Sequence, residues 1–81
     1  MENTMTIDQI ISAAKSDIGR QIAKGTWYGY DGVPEDKDGE NFHTIVSLYA
    51  QWSENVPEAE AALYTMFEED YSGYDHENQL N

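Results

Sequence analysis

The strongest constraint on the fold is an apolar stripe that repeats at helical spacing in the first third of the chain. Every position of the stripe is isoleucine or alanine: Ile7, Ile10, Ile11, Ala14, Ile18 and Ile22. Spacings of three and four residues place such side chains on one face of an α-helix. Thr6 and Gln9 have the spacing of a capping box before the stripe, and Gly25 is a typical stop after it. The pattern therefore predicts a helix over residues 7–24.

Two further segments have helical periodicity and complete an all-α fold. Residues 40–53 carry an apolar face made of Phe42, Ile45, Val46, Leu48, Tyr49 and Trp52. Residues 57–71 carry a second one made of Ala59, Ala62, Leu63, Met66 and Phe67. Pro57 suits the first turn of that helix, and Ser72 and Gly73 end it. We predict one small all-α domain, residues 1–81, with three helices around a single core.

The rest of the chain is predicted to lack regular structure. Residues 26–39 read TWYGYDGVPEDKDG and are expected to form a long acidic loop between the first two helices. Residues 1–5 are expected to be a frayed leader, and residues 72–81 a polar tail. By periodicity, four aromatic residues are expected in the core: Phe42, Tyr49, Trp52 and Phe67.

The charge of the chain is strongly negative and unevenly distributed. Sixteen acids and four bases give a net charge of −12. Residues 1–24 hold three acids and three bases, whereas residues 25–81 hold thirteen acids and one base. Nucleic acids and anionic membranes are also negative, so direct binding to either is disfavoured and a basic partner surface is favoured. The chain has no apolar run of membrane-spanning length, no signal peptide pattern and no cysteine. We therefore expect a cytoplasmic protein.

The sequence offers no convincing catalytic or metal-binding motif. If Gly39 is aligned with the sixth position of a calcium-binding EF-hand loop, Pro34 and Ile45 occupy the two outer ligand positions, and the pattern fails. His43 and His76 have no second ligand at zinc spacing. A serine lies one helical turn from His43, but no oxyanion-binding element accompanies the pair. We predict no enzymatic activity, no metal and no cofactor.

The acidic and aromatic residues of the loop, third helix and tail are the candidate partner-binding residues. Glu60 and Glu68 are two helical turns apart, roughly 12 Å, with Tyr64 between them. Tyrosines among carboxylates are typical of protein-binding surfaces, because the ring offers contact area and accepts cations. Spaced carboxylates can also imitate the phosphates of DNA. The predicted set is Asp31, Glu35, Asp36, Asp38, Glu40, Glu60, Tyr64, Glu68, Glu69, Asp70, Tyr71, Tyr74 and Asp75.

The acidic segments DGVPEDKDGE and MFEEDYSGYDHE, together with the small size and lack of cysteine, resemble a known group. These are the small phage-encoded inhibitors of bacterial defence, namely anti-CRISPR proteins and antirestriction DNA mimics. The resemblance is one of size, charge and composition, and carries no motif residue by residue. It implies an inhibitor in the cytoplasm of an infected bacterium that occupies a basic nucleic-acid channel, with a CRISPR surveillance complex as the favoured target.

The alternative function is that of an acidic structural or adaptor protein. Such a protein would act through helix-mediated oligomerisation or by binding a larger subunit, and its acids would solvate the outside. The sequence leaves both a monomer and a dimer open.

Overall fold

The computed structural model describes residues 4–71, which form three α-helices around one core. The helices are α1 (Ile7–Lys24), α2 (Phe42–Ala50) and α3 (Val56–Tyr71). Each helix packs against the other two. Within residues 4–71 there is no strand, and extended pairing is limited to one isolated parallel bridge between Trp27 and Glu40. The prediction of a small all-α fold with three helices is confirmed.

Helix α1 occupies the predicted range because both of its ends are capped by local residues. The Thr6 hydroxyl accepts a hydrogen bond from the backbone N–H of Gln9 at 3.1 Å, and the Gln9 side chain accepts one from the backbone N–H of Thr6 at 2.9 Å. At the other end, Gly25 adopts a left-handed φ of 76° and donates its backbone N–H to the carbonyl of Ile22 at 3.0 Å. Glycine takes this conformation without the steric cost of a Cβ.

Gly19 lies in the interior of α1, on its exposed side, and has open space around it. A Cβ built at this position meets no atom within 4 Å. Because glycine in a helix interior costs about 1 kcal/mol relative to alanine, Gly19→Ala is expected to raise the free energy of unfolding by about 0.5–1 kcal/mol. Urea denaturation followed by circular dichroism measures the change. Gly25→Ala, at a left-handed φ, should instead lower stability, and a loss in both variants would contradict the open surroundings of Gly19.

Helix α2 is shorter than the predicted range of 40–53. It begins after Asn41, whose side-chain Oδ1 accepts a hydrogen bond from the backbone N–H of Thr44 at 3.1 Å. An Asn in this role marks the N-cap, so Glu40 lies outside the helix. At the other end Ala50 is the last helical residue, and the chain turns over residues 51–55.

The burial predicted for the two tryptophans is wrong in both cases. Trp27, expected in the loop, is fully buried, whereas Trp52, expected in the core, is 44% exposed. The Trp27 ring packs edge-on against Phe67 with the centroids 6.1 Å apart. Trp52 follows the end of α2, so the helical period that placed it on the apolar face no longer applies there. The other buried apolar residues are Ile10, Ala14, Ile18, Phe42, Ile45, Val46, Ala50, Ala59, Leu63, Met66 and Phe67.

The connection between α1 and α2 is held together at its base by main-chain hydrogen bonds. The backbone N–H of Tyr28 donates to the carbonyl of Glu40 at 2.8 Å, and the N–H of Glu40 donates to the carbonyl of Thr26 at 2.9 Å. Gly39 permits this close approach, since a Cβ there would lie 2.7 Å from the carbonyl oxygen of Thr26. The acidic loop between Tyr28 and Glu40 is therefore held at both of its ends by main-chain hydrogen bonds.

The start of the described chain is also tied to the domain. The backbone N–H of Met5 donates to the carbonyl of Trp52 at 2.8 Å, and the Met5 side chain packs against the core. The expectation of a frayed leader over residues 1–5 is therefore wrong at Met5. Residues 1–3 and the predicted tail, 72–81, lie outside the described residues.

Candidate functional site

The acids of α3 lie on two flanks of the helix rather than on one face. Glu60, Tyr64 and Glu68 recur at every fourth residue and form an exposed stripe along one flank. At 3.6 residues per turn, Glu58 and Glu69 fall on the other flank, beyond the opposite edge of the buried side. The predicted site residues of α3 therefore present two separate surfaces to a partner.

Two exposed tyrosines contact the buried ring of Phe42: Tyr64, which lies on the first flank, and Tyr30, which lies in the connection between α1 and α2. The centroid of Phe42 lies 6.2 Å from that of Tyr30 and 5.2 Å from that of Tyr64, and both contacts are edge-on. The ring centroid of Tyr30 also lies 4.3 Å from that of Phe67. The Phe67 ring in turn stacks on the Phe42 ring, with the centroids 3.9 Å apart. Nevertheless, 53% of Tyr30 and 39% of Tyr64 are exposed. A buried aromatic stack thus supports two surface rings from beneath.

Carboxylates accompany both of these rings. Asp31 directly follows Tyr30 in the chain, and Glu60 and Glu68 lie one helical turn before and after Tyr64. All three carboxylates are exposed, and none of them forms an ion pair with another described residue. We call Tyr30, Asp31, Glu60, Tyr64 and Glu68 the acidic–aromatic face. Tyr30 was absent from the predicted set, because its contact with α3 brings together residues distant in sequence.

The second flank of α3 contains an internal ion pair. Lys15 of α1 lies 2.6 Å from the Asp70 carboxylate, and this hydrogen bond and charge raise the pKa of Lys15. Glu69 lines the same groove between α1 and α3. The pair is roughly half exposed, so its contribution to stability is small. Lys15 neutralises Asp70, one of the acids predicted to meet a partner.

The loop acids do not form one surface either. Glu35 and Asp36 lie in an exposed turn within the connection and directly precede Lys37. Asp38 lines a shallow depression beside Lys24, near the end of α1. A cation approaching the loop therefore meets acids interspersed with bases of this chain.

Tyr71 contributes mainly to packing. It is half-buried, and its ring stacks on that of Phe67 with the centroids 5.7 Å apart. Burial raises the pKa of its phenol. Two other predicted site residues, Tyr74 and Asp75, lie outside the part of the chain that the structure describes.

Glu40 lines the same depression as Asp38, but it is more buried and is influenced by a buried carboxylate of α1. Its Oε1 atom is buried and has no hydrogen-bond partner among residues 4–71. Asp17 is only 6% exposed and accepts a hydrogen bond from the Tyr49 hydroxyl at 2.9 Å. Burial raises the pKa of Glu40, and the charge of Asp17 adds to the effect. We therefore leave Glu40 out of the surface that is offered to a partner.

The raised pKa of Glu40 predicts a pH dependence of stability. The folded chain holds the Glu40 proton more tightly than the unfolded chain, so this group makes folding less favourable as pH rises from about 4.5 through the raised pKa. Glu40→Gln, neutral at every pH, is expected to be more stable than the parent at neutral pH and similar to it below pH 4.5. Urea denaturation at both pH values tests this.

Glu35→Gln is the matched control for that substitution, because it changes the net charge equally at an exposed position. A gain confined to Glu40→Gln at neutral pH would identify the cost of burial. Equal gains in both variants would show instead that general relief of charge repulsion is responsible.

Residues 4–71 contain neither a metal-binding cluster nor a membrane-spanning helix. In residues 4–71, no three histidine, aspartate or glutamate side chains are grouped closely enough to hold a metal ion. None of the helices in that range is both long and apolar enough to cross a membrane.

Comparisons with known proteins assign no family to the chain. No protein-family model matches the chain, and no curated protein or solved structure is significantly similar to it.

Proposed function

We propose that this protein is an acidic inhibitor of a bacterial defence complex. It binds a basic nucleic-acid-binding surface of that complex, with a CRISPR surveillance complex as the favoured target, and blocks the binding of DNA. The observation that carries the proposal is the exposed and largely unpaired negative charge. Residues 25–71 hold eleven acids and one base. Ten of these acids are exposed, and among the described residues only Asp70 of the ten is in an ion pair.

An acidic surface of this kind lowers the folding stability of a small domain. Like charges repel one another and oppose the compact state. A net charge of about 2–8 in magnitude is enough to keep a small domain soluble, so a charge of −12 exceeds that need. The excess favours steering toward a basic partner, where the carboxylates form charge-assisted hydrogen bonds with lysine and arginine. Those same bases hold the phosphates of DNA, so the protein and DNA compete.

The affinity for purified CRISPR surveillance complexes, with and without bound target DNA, tests this proposal. We expect tight binding to the DNA-free complex and weak binding to the DNA-bound complex. We also expect the affinity for the DNA-free complex to fall steeply with salt, because each ion pair displaces counterions. Equal affinity for both forms of the complex, or an affinity that does not depend on salt, would contradict the proposal.

A second candidate function, that of a structural or adaptor protein, is favoured by the exposed apolar residues of α2 and the turn after it. Leu48 is 40% exposed and Trp52 is 44% exposed. Both lie in residues 41–53, which contain no charged side chain. This stretch can pack against a second copy or a larger subunit without bringing acids together. Light scattering after size exclusion separates the two functions: a stable dimer that Leu48→Gln disrupts favours the adaptor, and a monomer favours the inhibitor.

A further inference from the structure

We infer that the acidic–aromatic face binds an arginine-bearing segment of the partner in preference to a lysine-bearing one. The inference rests on the proposed function and narrows it to one surface of this chain and one kind of cation. Exposed rings and unpaired carboxylates together distinguish this face from the other acidic regions of the described chain.

The surroundings of Tyr64 fit a guanidinium group. Glu60 and Glu68 lie one turn on either side of the ring, at a helical rise of roughly 6 Å. A guanidinium is planar, so it can stack on the phenol ring while its N–H groups donate two parallel hydrogen bonds to a carboxylate. The ammonium of lysine is a compact, strongly hydrated charge without this plane. One arginine can therefore use the ring and a carboxylate together.

Tyr30 packs against the same buried ring, and the exposed Asp31 follows it directly in the chain. Because Tyr30 and Tyr64 both contact Phe42, the two exposed rings belong to one continuous aromatic cluster. Packing against the cluster restricts both side chains before any partner arrives, which lowers the entropy lost on binding. The face thus offers two exposed rings, both held in place by Phe42, to a segment with more than one arginine.

The other two acidic regions, at the end of α3 and in the connection between α1 and α2, lack an exposed ring, or carboxylates free of a neighbouring base, or both. Glu69 and Asp70 lie in a groove with Lys15, whose charge repels an incoming cation. Glu35 and Asp36 are followed directly by Lys37. Charge complementarity within the described residues therefore favours the acidic–aromatic face for a cationic segment.

Binding of hexa-arginine and hexa-lysine peptides to the full chain tests the inference. Calorimetry gives the affinities, and backbone amide shifts in nuclear magnetic resonance spectra locate the contacts. We expect hexa-arginine to bind about two- to five-fold more tightly than hexa-lysine, because only the planar guanidinium can stack on a ring while it forms paired hydrogen bonds with a carboxylate. We expect the largest shifts at Tyr30, Asp31, Glu60, Tyr64 and Glu68. The preference should persist as salt is raised, because salt screens charges more than it weakens stacking.

Two sets of variants assign this preference to residues. Tyr64→Leu keeps the net charge and the apolar bulk but removes one of the two exposed rings, so the preference for hexa-arginine should fall, and Tyr30 should account for what remains. The double variant Glu60→Gln, Glu68→Gln should lose more affinity for hexa-arginine than the double variant Glu35→Gln, Asp36→Gln. Both double variants change the net charge by the same amount, and circular dichroism verifies that each variant folds.

The inference is overturned if hexa-arginine and hexa-lysine bind the parent chain equally. It is also overturned if Tyr64→Leu keeps the full preference, or if the two double variants lose affinity equally. Each of these results leaves the proposed function intact, because that function requires only a basic surface. Failure of both peptides to bind even at low salt would contradict the inference and the proposed function together.

Discussion

Trp27→Ala is expected to lower the free energy of unfolding by about 3–5 kcal/mol, which is the usual cost of removing a large buried ring. Trp27 is fully buried and packs edge-on against Phe67, so alanine leaves a cavity beside Phe67 in the core. A domain of this length has a total stability of only about 4–12 kcal/mol. The variant should therefore be partly or largely unfolded at room temperature.

Trp52→Ala is the matched control for that substitution, because it removes the same side chain from an exposed position. We expect a change in stability of less than about 1 kcal/mol. Urea denaturation followed by far-ultraviolet circular dichroism measures both variants. In Trp52→Ala the remaining tryptophan is the buried one, so its fluorescence should be blue-shifted and poorly quenched by acrylamide. A larger loss in Trp52→Ala than in Trp27→Ala would contradict the core that the structure shows.

Tyr49→Phe is expected to lower the free energy of unfolding at neutral pH by about 1.5–3 kcal/mol, the usual contribution of a hydrogen bond to a charged group. The Tyr49 hydroxyl donates to Oδ2 of Asp17, a carboxylate that is 6% exposed. Oδ1 of Asp17 accepts from Gln21 at 3.3 Å and lies 3.9 Å from Arg20. Phenylalanine keeps the ring but leaves Oδ2 without its donor. This hydrogen bond joins α1 to α2, so its loss should weaken their contact.

The same hydrogen bond predicts a stability loss at alkaline pH. Burial and the bond to Asp17 raise the pKa of Tyr49 from 10.0 to about 12. Between these values the folded chain keeps the proton and the unfolded chain loses it, so the stability due to Tyr49 falls as pH rises. Tyr49→Phe should show a smaller decline over this range. Tyr30→Phe, at an exposed ring, is the control. Equal effects of both substitutions at neutral and alkaline pH would contradict a buried bond to Asp17.

The sequence predicts those parts of the fold that depend on local interactions. The bounds of α1 follow from Thr6, Gln9 and Gly25, because each of these residues caps the helix through neighbours in the chain. The early end of α2 could not be read from periodicity, since the apolar pattern continues past Ala50 while the helix does not. The burial of Trp27 depends on its contact with Phe67, forty residues away in sequence.

The same distinction separates the predictable part of the candidate site from the rest. The stripe of Glu60, Tyr64 and Glu68 follows from helical periodicity alone. The ion pair between Lys15 and Asp70 depends on the packing of α1 against α3, which no local pattern encodes. The addition of Tyr30 to the face likewise requires the aromatic cluster. Sequence composition thus identifies an acidic protein, and packing decides which acids remain available to a partner.

Displacement of DNA is the most direct test of the central claim. Increasing amounts of the protein are added to CRISPR surveillance complexes that carry labelled target DNA, at low and at moderate salt. We expect release of the DNA, or failure of the DNA to load when the protein is added first, with both effects weaker at moderate salt. Binding of the protein to a complex that keeps its DNA and loads it normally would contradict inhibition by competition with DNA.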